Sequence, residues 1–192
     1  MAVRTFIALE LSEAAKAGIL GCVEALRDRG VKASWARPST IHLTLRFLGD
    51  VDDERLADVV SATERAAAVA QRFEFVTTGL GAFPSPARPR VVWAGVEAPD
   101  ALYELRSALD VELESAGFAR ERRRFHPHVT LGRIRSSVGG LAELLSETPL
   151  PAETTRVAAV LVMKSTLAPS GAIHEIVSQV VLRERADSPY QD

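Results

Sequence analysis

Two short stretches of the chain alternate between apolar and polar side chains, and each carries a histidine with a threonine two positions later. They are Ile41-His42-Leu43-Thr44-Leu45 and Pro127-His128-Val129-Thr130-Leu131. Because successive side chains of a strand point to opposite faces, this alternation predicts two β-strands. Each strand presents its imidazole and its hydroxyl side by side on one face and buries its apolar residues on the other.

The rest of the apolar pattern predicts a mixture of helices and strands. Ser12 is a helix-capping residue followed by apolar side chains at helical spacing, and Gly30 ends this helix. Similar apolar stripes predict two further helices that begin at the capping residues Asp52 and Asp100. The other predicted strands lie over 5–11, 31–36, 73–78, 91–96, 155–165 and 173–182, and the last two form a hairpin through a turn over 169–171. A short helix over 140–146 and a long glycine- and proline-rich loop over 79–90 complete the prediction.

The two His-Thr strands are spaced as in a duplicated unit. The second histidine follows the first by 86 positions (128 − 42) in a chain of 192 residues, which is close to half the chain length. Strands and helices do not alternate regularly, which favours an α+β fold. We therefore predict a bilobal duplicated unit in which two antiparallel β-sheets flank a central cleft, with the helices on the outside. One domain over 1–185 with two pseudo-symmetric lobes is expected, followed by a flexible tail over 186–192.

Composition narrows the class of protein without indicating a partner. A hydrophobic content of 47% with 25% charged residues is typical of a soluble globular protein, and a net charge of −2 gives no global attraction to nucleic acid or membranes. No apolar run has the length of a membrane span or a signal peptide, so we expect a cytoplasmic protein without membrane contact. Cys22 is the single cysteine, which excludes an intrachain disulfide. We expect a monomer.

The chemistry of the two His-Thr pairs suits displacement at phosphorus. Two imidazoles titrate near neutral pH, so one can act as a base while the other acts as an acid. Neighbouring hydroxyls can donate hydrogen bonds to phosphate oxygens. Six arginines between 120 and 135 surround the second strand, and beside a phosphate site they favour an anionic ligand over a merely solvated loop. A zinc site is the alternative, but two histidines without a nearby acidic or cysteine ligand are a poor match to one.

Four stretches together resemble one known group of enzymes. They are Arg4-Thr5-Phe6-Ile7-Ala8-Leu9, Trp35 followed by residues 41–49, Pro89-Arg90-Val91-Val92-Trp93, and residues 125–133. In this order they resemble the two-histidine phosphoesterase superfamily over nearly the whole chain. Within it, the chain is most similar to the bacterial and archaeal RNA 2′,3′-cyclic phosphodiesterases, also described as 2′-5′ RNA ligases.

The resemblance implies an activity and a set of site residues. The activity is hydrolysis of RNA ends or nucleotides with a 2′,3′-cyclic phosphate to 2′-phosphomonoesters, without metal or cofactor, with reversible 2′-5′ ligation as a related reaction. Strict alternation turns Arg133 away from His128, and Gly132 is a position where a β-bulge can redirect it. The implied site consists of His42 and His128 as the catalytic pair, with Thr44, Thr130, Arg133 and Phe6 binding the substrate.

Several points stay open at this level. We take His42 as the acid and His128 as the base, although the two motifs are nearly symmetric. The unperturbed histidine pKa of about 6.5 predicts a maximum of kcat/KM between about pH 6 and 8. His174 stands where relatives often carry a tyrosine, and we place it and His126 at the rim. The alternatives are a cyclic phosphodiesterase acting on a small nucleotide or on ADP-ribose cyclic phosphate, and a nucleotide-binding module without turnover.

Overall fold

The computed structural model describes residues 1–136, 139–168 and 171–184. The predicted tail over 186–192 and the first two residues of the predicted turn over 169–171 lie outside these ranges. No helix in the described ranges combines the length and the apolar character needed to cross a membrane. The strands are β1 Ala2–Leu9, β2 Ala33–Trp35, β3 Leu43–Asp52, β4 Phe73–Phe83, β5 Val91–Glu97, β6 His128–Ile134, β7 Thr154–Val157, β8 Ala159–Ala168 and β9 Gly171–Val181, and the α-helices are α1 Glu13–Asp28, α2 Leu56–Ala67, α3 Asp100–Ser115 and α4 Leu141–Ser146.

The strands form two antiparallel halves of one curled sheet. We call β3, β1, β8 and β9 the first half-sheet, and β7, β4, β5 and β6, with β2 beside β6, the second half-sheet. The halves meet where β3 pairs with β6 through the single residue pair Leu43–Val129. The predicted α+β fold is confirmed, and the two antiparallel sheets are joined at this central pair.

The four α-helices of the described ranges lie on one face of this sheet. α2 packs on β8 and β9, and α3 packs on α2 and β3. α1 lies over the second half-sheet, where Ser12 at its N-terminus contacts Thr155 of β7. Leu43, Leu45 and Val129 face the helices and are at most 2% exposed, so burial of the apolar alternate positions turns the His-Thr positions to the face without helices.

The predicted strand over 155–165 is wrong as a single element. The chain forms β7 up to Val157, interrupts at Ala158 and continues as β8. β7 pairs with β4 of the second half-sheet, whereas β8 pairs with β1 of the first. The valine-rich run looks continuous because Val157 of β7 is buried as Val160 and Val162 of β8 are. The change of half-sheet at Ala158 leaves no local signal in the sequence.

The predicted loop over 79–90 is also partly wrong, because β4 continues to Phe83. Its glycines serve a close approach between strands. A Cβ atom at Gly81 would lie 2.2 Å from the indole of Trp93 on the neighbouring strand. A β-bulge between Thr78 and Leu80 accommodates Gly79. Glycine is needed here to accommodate a large side chain, and it does not form a turn.

A buried charge cluster ties β3 to α3. Arg46 and Arg106 are 4% and 6% exposed, and both guanidinium groups pair with Asp110. Arg46 also donates a hydrogen bond to the carbonyl oxygen of Ala119, which fixes the start of the arginine-rich segment that leads to β6. Asp110 thus pairs with two nearly buried cations, and Glu121 lies 3.9 Å from one of them, Arg46. Removing one partner of such a buried cluster is costly.

We expect Asp110→Ala to lower the free energy of unfolding by about 3–5 kcal/mol, because the buried Arg106 loses its counter-charge and the buried Arg46 keeps only Glu121, 3.9 Å away. Chemical denaturation measures the loss. Glu74→Ala is the matched control, since it breaks the exposed pair with Arg156 and should cost less than about 1 kcal/mol. Equal losses in the two variants would contradict the assigned importance of the buried cluster.

Candidate active site

The central strand pair brings the two His-Thr motifs together. Leu43 of β3 lies opposite Val129 of β6 in antiparallel register. Counting outward from this pair, His42 lies opposite Thr130 and Thr44 lies opposite His128. Residues opposite one another in antiparallel strands share a face. Both imidazoles and both hydroxyls therefore lie on one patch of the sheet, at the junction of the two halves.

A β-bulge returns Arg133 to the same face. Thr130 pairs with Trp93, whereas Gly132 pairs with the residue that precedes Trp93, so β6 carries one extra residue, Leu131. Beyond the extra residue the alternation is reversed, and Arg133 shares the face of Thr130. The bulge expected from the sequence at this position is confirmed, and the Arg133 side chain is exposed.

His128 is held through one of its ring nitrogens. Its Nδ1 lies 2.7 Å from the carbonyl oxygen of His126, so the Nδ1–H donates and Nε2 is left for a ligand. The ring of Phe83 stands edge-on at 5.0 Å. Burial lowers the pKa of His128, the hydrogen bond to the His126 carbonyl acts in the opposite direction, and the charge of the His126 ring lowers the pKa further.

His42 is the more deeply buried imidazole of the pair. Its Nε2 lies 3.0 Å from Thr44 Oγ1, and its ring stacks on Phe6 with centroids 4.8 Å apart. Burial lowers the pKa of His42 to about 4, the neighbouring His174 lowers it as well, and a hydrogen bond to the Thr40 backbone opposes both. The ring is therefore neutral at pH 7, and its Nε2 can accept a hydrogen bond from the Thr44 hydroxyl.

Phe6 and His174 occupy positions different from those expected. Phe6 is 4% exposed beneath His42, so it supports that ring and has little surface for a nucleobase. His174 on β9 lies at the site rather than at its rim, with its ring 5.2 Å from His42 and 5.0 Å from Phe6. The signal in the sequence is its place after the last hairpin glycine. Burial, followed by the charge of Arg37, lowers the pKa of His174.

A second ring cluster lies beside His128, and the sequence pattern does not reveal it. Phe83 and Trp93 have ring centroids 5.1 Å apart, and the ring of His126 lies within 5.4 Å of both. The sequence places Phe83 in a loop, so nothing links it to the site at that level. The described residues contain no group of three or more histidine, cysteine or acidic side chains placed to hold a metal ion.

The chain is similar to known proteins over most of its length. The family model described as LigT-like phosphoesterase matches residues 9–93 and 95–174, two successive stretches that each contain one His-Thr motif. The RNA 2′,3′-cyclic phosphodiesterase of Thermotoga maritima is 34% identical over 174 residues, covering 91% of this chain and 92% of the relative. The protein of the same name from Methanothermobacter thermautotrophicus is 33% identical, covering 91% and 96%.

Solved structures share the fold over almost the whole chain. TT0787 of Thermus thermophilus superposes with a TM-score of 0.80 at 26% identity, covering 94% of this chain and 98% of that one. LigT of Escherichia coli in complex with 3′-AMP gives a TM-score of 0.74 at 22% identity, covering 95% and 99%. The second likeness concerns the fold alone.

Proposed function

The chain belongs to the LigT-like phosphoesterase family, and from this premise we propose that it is an RNA 2′,3′-cyclic phosphodiesterase that forms 2′-phosphomonoester ends. The observation that carries the proposal is the Leu43–Val129 pair, whose register sets two imidazoles and two hydroxyls on one face. The names of the relatives from Thermotoga and Methanothermobacter support the substrate class.

In the proposed reaction one imidazole removes a proton from water, and the water oxygen bonds to phosphorus. The bond from phosphorus to the ribose 3′-oxygen breaks, and the other imidazole donates a proton to that oxygen. Thr44, Thr130 and Arg133 hold the non-bridging oxygens, where donors stabilise the developing charge. In this complex the Thr44 hydroxyl turns from His42 Nε2 to the phosphate and leaves that nitrogen free for water. The 2′-oxygen keeps the phosphate. A ribose 5′-hydroxyl in place of water would produce a 2′-5′ linkage by the same steps.

The ring environments favour His42 as the base and His128 as the acid, the reverse of the assignment made from the sequence. Burial lowers the pKa of His42 to about 4, so this ring resists protonation. Each ring has a backbone hydrogen bond that stabilises its protonated form, His42 to Thr40 and His128 to His126, so the deeper burial of His42 makes the difference. An anionic substrate raises the pKa of both rings, and His128 is the one that needs the smaller rise.

End-group analysis tests the proposed function. The protein is incubated with an RNA oligonucleotide that ends in a 2′,3′-cyclic phosphate, with EDTA present, and the product end is identified. We expect a 2′-phosphomonoester. An unchanged cyclic end, with folded protein, would overturn the proposal, and an activity restored only by a divalent ion would refute the paired-imidazole mechanism. Faster turnover of ADP-ribose cyclic phosphate than of the oligonucleotide would favour the small-substrate alternative.

The pH dependence should shift to the acid side of the range expected from unperturbed histidines. The pair must hold one proton, and the pKa values of both rings are lowered, that of His42 to about 4. Below about pH 4 His42 is protonated and cannot act as a base, and above its ordinary pKa of about 6.5 His128, whose pKa is lowered, has lost its proton in the free protein. We expect kcat/KM to peak between these values and the limbs of kcat to lie at higher pH, because bound phosphate favours the protonated rings.

Initial rates with a cyclic mononucleotide from about pH 3.5 to 9 check this prediction, since the charge of the diester stays constant over that range. NMR titration of the free protein measures the pKa of each ring independently of the kinetics. A kcat/KM that rises steadily above pH 8 would contradict catalysis by a singly protonated pair.

We expect Arg133→Ala to raise KM for a cyclic mononucleotide at least about tenfold, because a charge-assisted hydrogen bond to phosphate contributes about 1.5–3 kcal/mol. The contrast is a variant in which Arg122, Arg123 and Arg124 are all alanine. These exposed side chains should attract an RNA backbone, so that variant should weaken oligonucleotides selectively and more at low salt. Steady-state kinetics with both substrates separates the two roles, and equal effects would refute the division.

A further inference from the structure

Three rings form a surface beside His128 that the reaction itself does not use. Phe83 ends β4, Trp93 lies on β5, and His126 precedes β6, with the three ring centroids 5.1–5.4 Å apart. We call these residues the ring platform. Neither Phe83 nor Trp93 belongs to the buried core clusters or to the hydrophobic residues packed against the larger one. They therefore lie outside the buried core.

The platform lies on the face that holds the phosphate-binding groups. Trp93 pairs with Thr130 across β5 and β6, so its side chain shares the Thr130 face. Phe83 and Trp93 are partly exposed, and His126 is exposed. Phe6 in the first half-sheet contrasts with them, since it is 4% exposed and already stacked on His42.

Accessible rings at this place suit a nucleobase. Bases stack on aromatic side chains whatever their sequence, and each stack contributes about 1–3 kcal/mol. If the phosphate of a ligand lies between His42 and His128, the attached ribose must lie beside it, over one of the two half-sheets. On the His128 side the next accessible surface is the platform, because the Phe83 ring is 5.0 Å from that imidazole.

We propose that the ring platform binds a nucleobase on the His128 side of the phosphate. The inference rests on the proposed function and deepens it. Two nucleosides could supply this base, namely the terminal nucleoside that bears the cyclic phosphate and the nucleoside whose 5′-hydroxyl attacks in ligation. If the base of the terminal nucleoside binds there, the departing 3′-oxygen lies next to His128, in agreement with His128 as the acid.

Tryptophan fluorescence tests the platform without turnover. Trp35→Phe leaves Trp93 as the single reporter, and it is titrated with inorganic phosphate, adenosine 2′-monophosphate and a 2′-5′-linked adenosine dinucleotide. We expect both nucleotides to quench Trp93 and phosphate to leave it unchanged if the terminal base stacks, and only the dinucleotide to quench if the attacking nucleoside stacks. Trp93→Phe, which retains Trp35, is the matched control and should lose the quenching.

In the same titrations, His126→Ala should weaken binding of the quenching nucleotide about 5- to 150-fold and leave phosphate binding unchanged. The proposal is overturned if the nucleotides inhibit hydrolysis without quenching Trp93, or if phosphate alone quenches equally. If the cyclic end is not hydrolysed and the nucleotides still quench Trp93, the proposed function fails while the platform stands. If the cyclic end is hydrolysed and neither nucleotide quenches Trp93, the platform fails while the proposed function stands.

Discussion

Replacing either His42 or His128 by alanine is expected to lower kcat for opening a 2′,3′-cyclic phosphate by about 10²–10⁴-fold, because each ring supplies one proton transfer. Both side chains are only partly buried, on the face away from the helices, so neither change should unfold the protein. Initial rates with a cyclic mononucleotide measure the loss, and thermal unfolding verifies that the variants are folded.

The double variant distinguishes a shared site from two independent ones. Residues that act as a unit lose most of their effect once one is removed, so the double variant should fall far short of the product of the single losses. His126→Ala is a matched histidine control two positions from His128, and it should raise KM with little change in kcat. Full additivity, or a single variant with nearly normal kcat, would contradict a shared catalytic pair.

A substrate whose leaving group needs no proton should restore most of the activity lost in His128→Ala. A cyclic phosphate with sulfur in place of the bridging 3′-oxygen serves this purpose, because a thiolate departs without the help of an acid. We expect the loss of about 10²–10⁴-fold to shrink strongly for His128→Ala, while His42→Ala stays impaired because attack by water still requires a base.

The comparison decides the assignment of acid and base independently of the pH profile. Each limb of that profile belongs to the coupled pair and cannot be attributed to one ring. Rescue of His42→Ala instead would restore the assignment made from the sequence, with the ribose on the side of the first half-sheet. Absence of rescue in both variants would contradict protonation of the leaving oxygen as a component of the mechanism.

The site shows which kinds of residue a sequence reveals and which it conceals. The four motif residues are recognisable because period-two alternation and a repeated His-Thr spacing are local signals. Phe83 carries no such signal, and His174 is marked only by its place after the last hairpin glycine. His174 reaches His42 through a strand at the far end of the chain, and Phe83 stands among prolines and glycines that indicate a loop.

Phe6 illustrates the opposite error, in which the sequence reveals a residue and not its role. The pattern places an aromatic side chain on the first strand, but its exposure depends on what packs above it. In the folded protein His42 stacks on Phe6 and leaves it 4% exposed. Phe6 supports the imidazole through this contact between residues 36 positions apart (42 − 6). No property of the first strand alone predicts that contact.

The sequence by itself determined the elements and their faces: the cap at Ser12, the helical stripes, the alternation in both His-Thr strands and the duplication. These follow from backbone geometry and from the hydrophobic requirement of each segment, which act within a few residues. Only the tertiary structure decided the pairing of Leu43 with Val129, the crossing between half-sheets at Ala158 and the ring platform beside His128. Such features depend on which distant surfaces bury one another, and the free energy of that choice is shared by many contacts and encoded in no single segment.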